Sequence, residues 1–441
     1  MNPAAEEPAH RLADHLFRHE SGKMVAILTG IYGARNLQLA EDVVQEALAR
    51  ALAAWPFGIP ENPSAWLLRT AKNLAIDHLR REKNFLGKQP EIIAEMESRP
   101  ASDAASDGDV IDDLLRMIFV CCHPALPPEA QSALALKTLC GFSPAEIAKA
   151  FLISEAAVSK RLVRARQRIR DERIPFEIPA SHELPQRLDG VLKILYLLFN
   201  EGHKASHGDA IIRADLCHEA IRLAMLLAAH PAGDEPHTHA LIAMMAFTAA
   251  RLPARSDSEG NLLRLEEQNR ALWSRELIAL GLRHLGKSSS GNFLSEYHLQ
   301  AGIAACHTLA PSDATTDWPR ILTLYDQLLE RTPSPVIALN RAVAFSKVHG
   351  PAAAIALLEA PEIRDRLENY HLFHAVLGEL EFKRQNPEAA AHHLRRSIDL
   401  TENAPERALL AKRLEKCLGC FPMPRPPAKA SASTTAAEEG R

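Results

Sequence analysis

Lys160, Arg161, Arg164, Arg166, Arg168, Arg170 and Arg173 crowd one stretch of the chain, opposed there only by Glu155, Asp171 and Glu172. Guanidinium and ammonium groups at this density suit phosphate oxygens, and residues at the start of such a segment are placed to reach base edges. Other reactive side chains are less promising. Cys121, Cys122 and His123 are adjacent, a poor spacing for metal ligation, and Leu114 to Cys122 reads as an apolar helix that buries both thiols. Cys417 and Cys420 make one CxxC without a second half, and the pairs His15/His19, His203/His207 and His371/His374 lack carboxylates to complete a site. The expectation is no metal, no cofactor and no catalytic residue. With no nucleophile motif or phosphate loop, the chain reads as a binding protein and not an enzyme.

The elements that must hold the basic row are legible from their ends. Ser143, Pro144 and Glu146 are spaced as N-cap, N1 and N3 of a short helix ending near Phe151. A turn at Leu152 and Ile153 follows, then Ser154 as the cap of a second helix in which Ala157, Val158, Leu162, Ala165 and Ile169 form an inward stripe. Two helices on a tight turn, the second one basic, make a helix-turn-helix, whose second helix enters a major groove.

The chain as a whole is near neutral, with 51 basic against 55 acidic residues in 441, so nucleic-acid affinity has to come from local patches. Alanine and leucine dominate and alternating β-branched runs are almost absent, which predicts an all-α fold. The seven cysteines form no secretory framework and the N-terminus carries no signal-type apolar stretch, so a cytoplasmic location is expected. The greasiest run, Val191 to Phe199, is interrupted by Lys193 and too short to span a bilayer, so no membrane contact is expected.

Upstream, a helix is predicted over Leu39–Ala54, with Ala40, Val43, Ala47 and Ala51 inward and Asp42, Gln45 and Glu46 outward. Trp55 to Pro63 holds Pro56, Gly58, Pro60 and Pro63 and must be a structured loop. A further helix, Ser64–Glu82, turns Leu68, Ala71, Ala75 and Leu79 inward and Arg69, Asn73, Asp77 and Arg80 to another face. From Phe85 to about Asp109 the composition becomes acidic and poor in apolar residues, a flexible linker by default.

The order LAEDVVQEALARAL, loop, NPSAWLLRTAKNLAIDHLRR resembles region 2 of bacterial extracytoplasmic-function (ECF) sigma factors, and the helix-turn-helix resembles their region 4. The resemblance implies core RNA polymerase as partner, contacted at the β′ clamp helices and the β flap, and promoter DNA as the second partner. It implies that Asp42, Gln45 and Glu46 dock on polymerase. It assigns Phe57, Asn62, Trp66, Arg69, Asn73, Asp77 and Arg80 to the minus-10 element, the loop with Phe57 and Asn62 being placed to capture an extruded base. Ser154, Glu155, Ala156, Ser159, Lys160, Arg161, Arg164 and Arg168 fall to the minus-35 element. For Trp66 and Phe57, packing in the core is the competing reading. The acidic linker is implied to thread the polymerase cleft.

More than half of the chain lies beyond Arg173. Gly378, Ala390 and Leu394 stand at the small, small and large positions of a tetratricopeptide (TPR) repeat, and Ala342, Ala354 and Leu358 repeat them 36 residues earlier, with His374 and Glu381 where aromatics are usual. The layout resembles ECF sigma factors with a long TPR-like extension. Two polar stretches, one with Glu201, His203, Asp209, Arg213 and Asp215, the other with Glu266, Glu267, Gln268, Arg270 and Trp273, read either as a buried ion-pair network or as a docking surface for a regulatory protein or ligand.

The expected organisation is region 2 over 1–84, a linker over 85–112, region 4 over 113–175, an all-α TPR-like extension over 176–420 and a disordered tail over 421–441. The expected function is that of a sigma factor that binds core polymerase, recognises and opens promoters, and is modulated by its extension. The alternatives are a helix-turn-helix regulator with a helical sensor domain, acting without being a sigma subunit, and an enzyme or scaffold in the C-terminal half.

Overall fold

The computed structural model describes residues 20–86, 107–151, 153–203, 213–257, 261–401 and 403–419. Among them every regular element is a helix, and the extended pairing is limited to a bridge between Ser256 and Leu262. The helices are α1 (20–32), α2 (Leu37–Ala54), α3 (Pro63–Leu86), α4 (Asp107–Cys121), α5 (Pro128–Leu139), α6 (Pro144–Phe151) and α7 (Glu155–Asp171). Then follow α8 (Leu184–His203), α9 (Ala214–Ala228), α10 (Pro236–Ala249), α11 (Arg275–Ser288), α12 (Glu296–Leu309) and α13 (Trp318–Arg331). The remainder are α14 (Pro335–His349), α15 (Pro351–Leu358), α16 (Pro361–Leu367), α17 (His371–Lys383), α18 (Pro387–Leu400) and α19 (Ala404–Leu418).

The linker expected over 85–112 is shorter than composition implies. Helix α3 runs on to Leu86 and α4 starts at Asp107, because the apolar period of Leu114, Leu115 and Ile118 reaches back one turn to Ile111. Most of the linker, residues 87–106, and the expected tail from 421 lie outside the described residues, as do His15, His19, His207, Asp209, Leu152 and Cys420.

The chain divides into two compact units between Thr332 and Pro333, well past the expected end of region 4 at 175. In the first unit one apolar core runs through α1–α3, α4–α7 and α8–α12 without a break. Helix α10 is buried on every side from Thr238 to Phe247, as befits a helix that is apolar all round, and α9, α11 and α12 pack on it. The approach of α11 depends on Gly281, where a Cβ would lie 2.7 Å from the Phe247 ring. The greasy run of α8 is a core helix, with Val191, Leu192, Ile194, Leu195, Leu198 and Phe199 all buried.

In the second unit α14 pairs with α15 and α17 with α18, the helix hairpins that the repeat spacing predicts. Ala342, Ala354, Leu358, Ala390 and Leu394 are all buried, and a Cβ on Gly378 would lie 2.9 Å from Leu394 Cγ. The polar residues at aromatic positions are accommodated by partners: His374 Nε2 bonds the Glu368 carbonyl at 2.8 Å and Glu381 pairs with Arg384 at 3.0 Å.

Candidate nucleic-acid and polymerase interface

Helix α7 begins as its sequence dictates. Ser154 Oγ accepts the Ala157 N–H at 3.2 Å, and α6 is opened by a reciprocal box in which Ser143 N–H donates to Glu146 at 2.8 Å and Glu146 N–H to Ser143 Oγ at 3.2 Å. Val158, Leu162, Ala165 and Ile169 are buried, while Ala157 is only half-buried. Ser154, Glu155, Ala156, Ser159, Lys160, Arg164 and Arg168 are exposed and Arg161 is half-buried. The C-terminal turns are self-paired, Arg168 with Glu172 at 3.3 Å and Arg170 with Gln167 at 2.6 Å, so Lys160, Arg161 and Arg164 are the cations best placed to meet an incoming phosphate. The helix ends with Arg173 in the left-handed region at φ 52° and Ile174 N–H bonding back to Ile169 O at 3.0 Å.

One member of the basic row does not face solvent. Arg166 is 9% exposed, and its Nη2 lies 2.5 Å from Oε2 of Glu41 on α2, itself 3% exposed. Thr138 on α5 donates its hydroxyl to the other Glu41 oxygen at 2.7 Å. The signal was present in the spacing: Arg166 stands four residues after Leu162 and three before Ile169, and Glu41 four after Leu37 and three before Val44. Both lie on apolar stripes, although their charge argues for a solvent face.

On α2, Ala40, Val43, Ala47 and Ala51 point inward, and Asp42, Gln45 and Glu46 are exposed together. Gln38 donates to Asp42 at 2.7 Å and Arg50 to Glu46 at 2.7 Å, which fixes the acidic row locally without burying it. On α3 the inward stripe is rotated relative to the predicted one. Leu67, Ala71, Leu74 and Ala75 are buried, whereas Leu68 and Leu79 are half-buried, because the helix packs mainly on α2. Arg69, Asn73, Asp77 and Arg80 remain exposed along it.

The loop before α3 separates its aromatics. Trp55 is 2% exposed in the core and meets half-buried Trp66 edge-on, with centroids 5.8 Å apart at 63°. Phe57, two residues on, is 86% exposed, so core packing does not account for it. Asn62 caps α3, its Oδ1 accepting the Ala65 N–H at 3.0 Å. Cys121 and Cys122 are buried, and burial pushes the Cys122 thiol up to about 12 despite Arg187 nearby. Among the described residues no group of three or more His, Cys, Asp or Glu is placed to hold a metal ion, and no helix is long and apolar enough to cross a membrane.

The extension closes on these elements from behind. Arg187 on α8 donates to the Phe119 carbonyl at 2.7 Å, and Arg222 on α9 donates to the Leu139 carbonyl at the end of α5 at 3.0 Å. Gly22 of α1 meets the same carbonyl, where a Cβ would lie 2.5 Å from its oxygen.

An acidic exposed helix, a polar helix behind an aromatic loop and a capped basic helix-turn-helix are the parts of a nucleic-acid-binding protein. Residues 16–85 match the family model for Sigma-70 region 2, residues 116–169 that for Sigma-70, region 4, and residues 187–289 a family of unknown function, DUF6596. The chain is 41% identical to an uncharacterized protein of Rhizobium meliloti (strain 1021) over 386 residues, covering 86% of this chain and 90% of the relative. It is 27% identical over 158 residues to "ECF RNA polymerase sigma factor SigE" of Mycolicibacterium smegmatis, covering 36% of this chain and 60% of that protein. To "Probable RNA polymerase sigma factor RfaY" of Xanthomonas campestris pv. campestris it is 29% identical over 141 residues, 31% of this chain and 35% of the other. No solved structure matches the chain. The chain belongs to the ECF RNA polymerase sigma factors, in a form that carries a helical DUF6596 extension behind regions 2 and 4.

Proposed function

We propose that the chain binds core RNA polymerase, places α7 at a minus-35 element and α3 at a minus-10 element, and opens the promoter by holding an extruded base against Phe57. The observation that carries this reading is Phe57 itself. An aromatic 86% exposed at the tip of a proline-braced turn has lost its burial energy, and a base taken out of its stack needs such a surface. Asp42, Gln45 and Glu46 supply an acidic docking row for the basic β′ clamp helices, which favours association rate and orientation. Ser154, Glu155, Ala156 and Ser159 stand at the groove-entering end of α7, and Lys160, Arg161, Arg164 and Arg168 anchor it on phosphates. Region 4 also meets the β flap, and no step is chemistry performed by the chain itself.

The extension modulates this activity by packing. Helices α8 and α9 complete the core under region 4, and region 2 is joined to region 4 through Glu41 and Arg166. Polymerase docking on α2 and DNA docking on α7 therefore act on two ends of one buried ion pair. The test is transcription in vitro with core polymerase, the full chain and a template carrying the chain's own upstream region. Transcripts that need the added chain, and are lost when Asp42 and Glu46 are both changed to Arg, support the reading. Tight binding to duplex DNA without polymerase, and no transcript with it, would replace it with the helix-turn-helix regulator.

A further inference from the structure

The segment between α10 and α11 holds buried cationic and indole N–H donors that lack acceptors. Arg251, two residues past the end of α10, has a buried Nε with no acceptor among the described residues, and it faces Arg255, Arg270 and the Tyr325 phenol. Burial, with Arg255 and Arg270 adding to it, pulls the Arg251 guanidinium down to about 10 although the Tyr325 phenol works the other way. Arg270 spends Nη1 on the His307 and Ala310 carbonyls at 2.9 and 2.7 Å and lies over the Trp273 ring, 4.5 Å from its centroid. Its Nη2 is buried without an acceptor, and so is Nε1 of Trp273, which is 4% exposed.

These donors share one neighbourhood. Ser274 N–H bonds the Ala250 carbonyl at 2.9 Å, tying the residue after Trp273 to the residue before Arg251, and the turns Leu252–Ala254 and Arg270–Leu272 pack on each other. Nearby carboxylates are engaged elsewhere: Glu266 and Glu267 pair with Arg264 at 2.6 and 2.9 Å. Asp313 acts on Arg270 but is not among the groups that act on Arg251. A buried Nε of half-buried Arg251, a buried Nη2 of half-buried Arg270 and the Trp273 indole N–H, all without acceptors, run against the rule that interior polar atoms are paired, and an oxyanion is the chemical class that accepts from all three kinds of donor.

We infer that Arg251, Arg270 and Trp273, with the Tyr325 hydroxyl and Arg255 beside them, form a binding site for the phosphoryl group of a small anionic ligand. Three oxygens carrying nearly two charges fit forked guanidinium donors better than a single carboxylate does. The site lies in the extension and requires no DNA or polymerase.

The test uses the full chain and inorganic phosphate as the probe, read by thermal unfolding at constant ionic strength in chloride, with citrate as the carboxylate arm. Low-millimolar phosphate raises the melting temperature saturably where chloride does not. Arg251→Met weakens that response about tenfold to a hundredfold, the loss of one charged hydrogen-bonding partner, and without phosphate it melts no lower than the parent. Arg164→Ala on α7 leaves the response intact, which separates this site from the DNA-binding helix. If Arg251→Met fails to fold, Arg270→Lys, read by tryptophan fluorescence during phosphate titration, takes its place and is expected to bind more weakly for the same reason. The inference is overturned if phosphate has no effect beyond chloride, if the arginine variants respond like the parent, or if citrate stabilises and phosphate does not.

Discussion

Replacing Glu41 by Ala removes the anion that Arg166 is buried against. With Arg166 9% exposed and its guanidinium 2.5 Å from the lost oxygen, the change strands a cation in the core, at a typical cost of about 3–5 kcal/mol. Thr138 loses the acceptor it reaches at 2.7 Å, roughly another 1 kcal/mol. The sum, on the order of 4–6 kcal/mol, is a large part of the ~5–15 kcal/mol that holds a typical domain together. Replacing both partners with apolar residues, Glu41→Leu with Arg166→Met, leaves no stranded charge and is expected to be neutral or stabilising by about 1–4 kcal/mol. The double-mutant cycle is read from urea unfolding followed by far-UV circular dichroism. A coupling energy of several kcal/mol is expected. A single-mutant effect below about 1 kcal/mol, with additive behaviour in the double mutant, is what an exposed pair gives, and it would refute the joining of regions 2 and 4 through this contact.

Gly22→Ala pushes a Cβ to 2.5 Å from a backbone oxygen that cannot swing away, so it should destabilise the first unit by about 1–3 kcal/mol, measured by the same unfolding assay. The two loop aromatics should separate stability from function. Trp55→Ala is expected to lose about 3–5 kcal/mol, while Phe57→Ala stays within about 0.5 kcal/mol of the parent yet loses open-complex formation in permanganate footprinting. Acid should weaken the first unit through His284, whose Nδ1 lies 2.9 Å from Nδ1 of His239, itself bonded to Asp234 at 2.7 Å. Burial first, then the neighbouring cations, hold the His284 imidazole down from 6.5 to about 4. The unfolded chain takes up this proton near pH 6.5 and the folded one only near pH 4. Stability present above pH 6.5 is thus lost as pH falls, about 2 kcal/mol by pH 5, and His284→Leu flattens that part of the urea-midpoint profile against pH.

What could be read from the sequence was what is decided within a few residues. The caps at Ser143 and Ser154, the stripe Val158, Leu162, Ala165 and Ile169, and the exposed rows on α2 and α3 all follow from local spacing and hydrogen-bond chemistry, and the structure has them. Where the reading failed, a distant segment decided. Nothing around Arg166 announces a carboxylate 125 residues upstream, so composition pulled it into the solvent face, although its position in the stripe argued otherwise. The α3 stripe lies about one position from the one its spacing predicts, because the packing partner α2, not α3 itself, selects between Leu67 and Leu68. Likewise the composition change after Arg173 marks the end of a motif but not the end of a core. That core continues as far as Ala305, since helices after a proline-rich joint can still share the apolar interior of those before it. For the candidate site, residue types at helical spacing were enough to locate the exposed rows, while the unpaired donors near Arg251 depend on turns too irregular for any periodicity to display.

The Leu139 carbonyl is a point where three separately named pieces of the chain converge: glycine from the first, the oxygen itself from the second, arginine from the third. Such a junction makes the fit of each piece depend on the other two. A chimera that grafts this extension onto another sigma factor has to bring along a residue without a side chain at position 22 and a guanidinium at position 222, or the joint will not close. The segment beyond Thr332, a compact unit of its own, supplies none of these three groups.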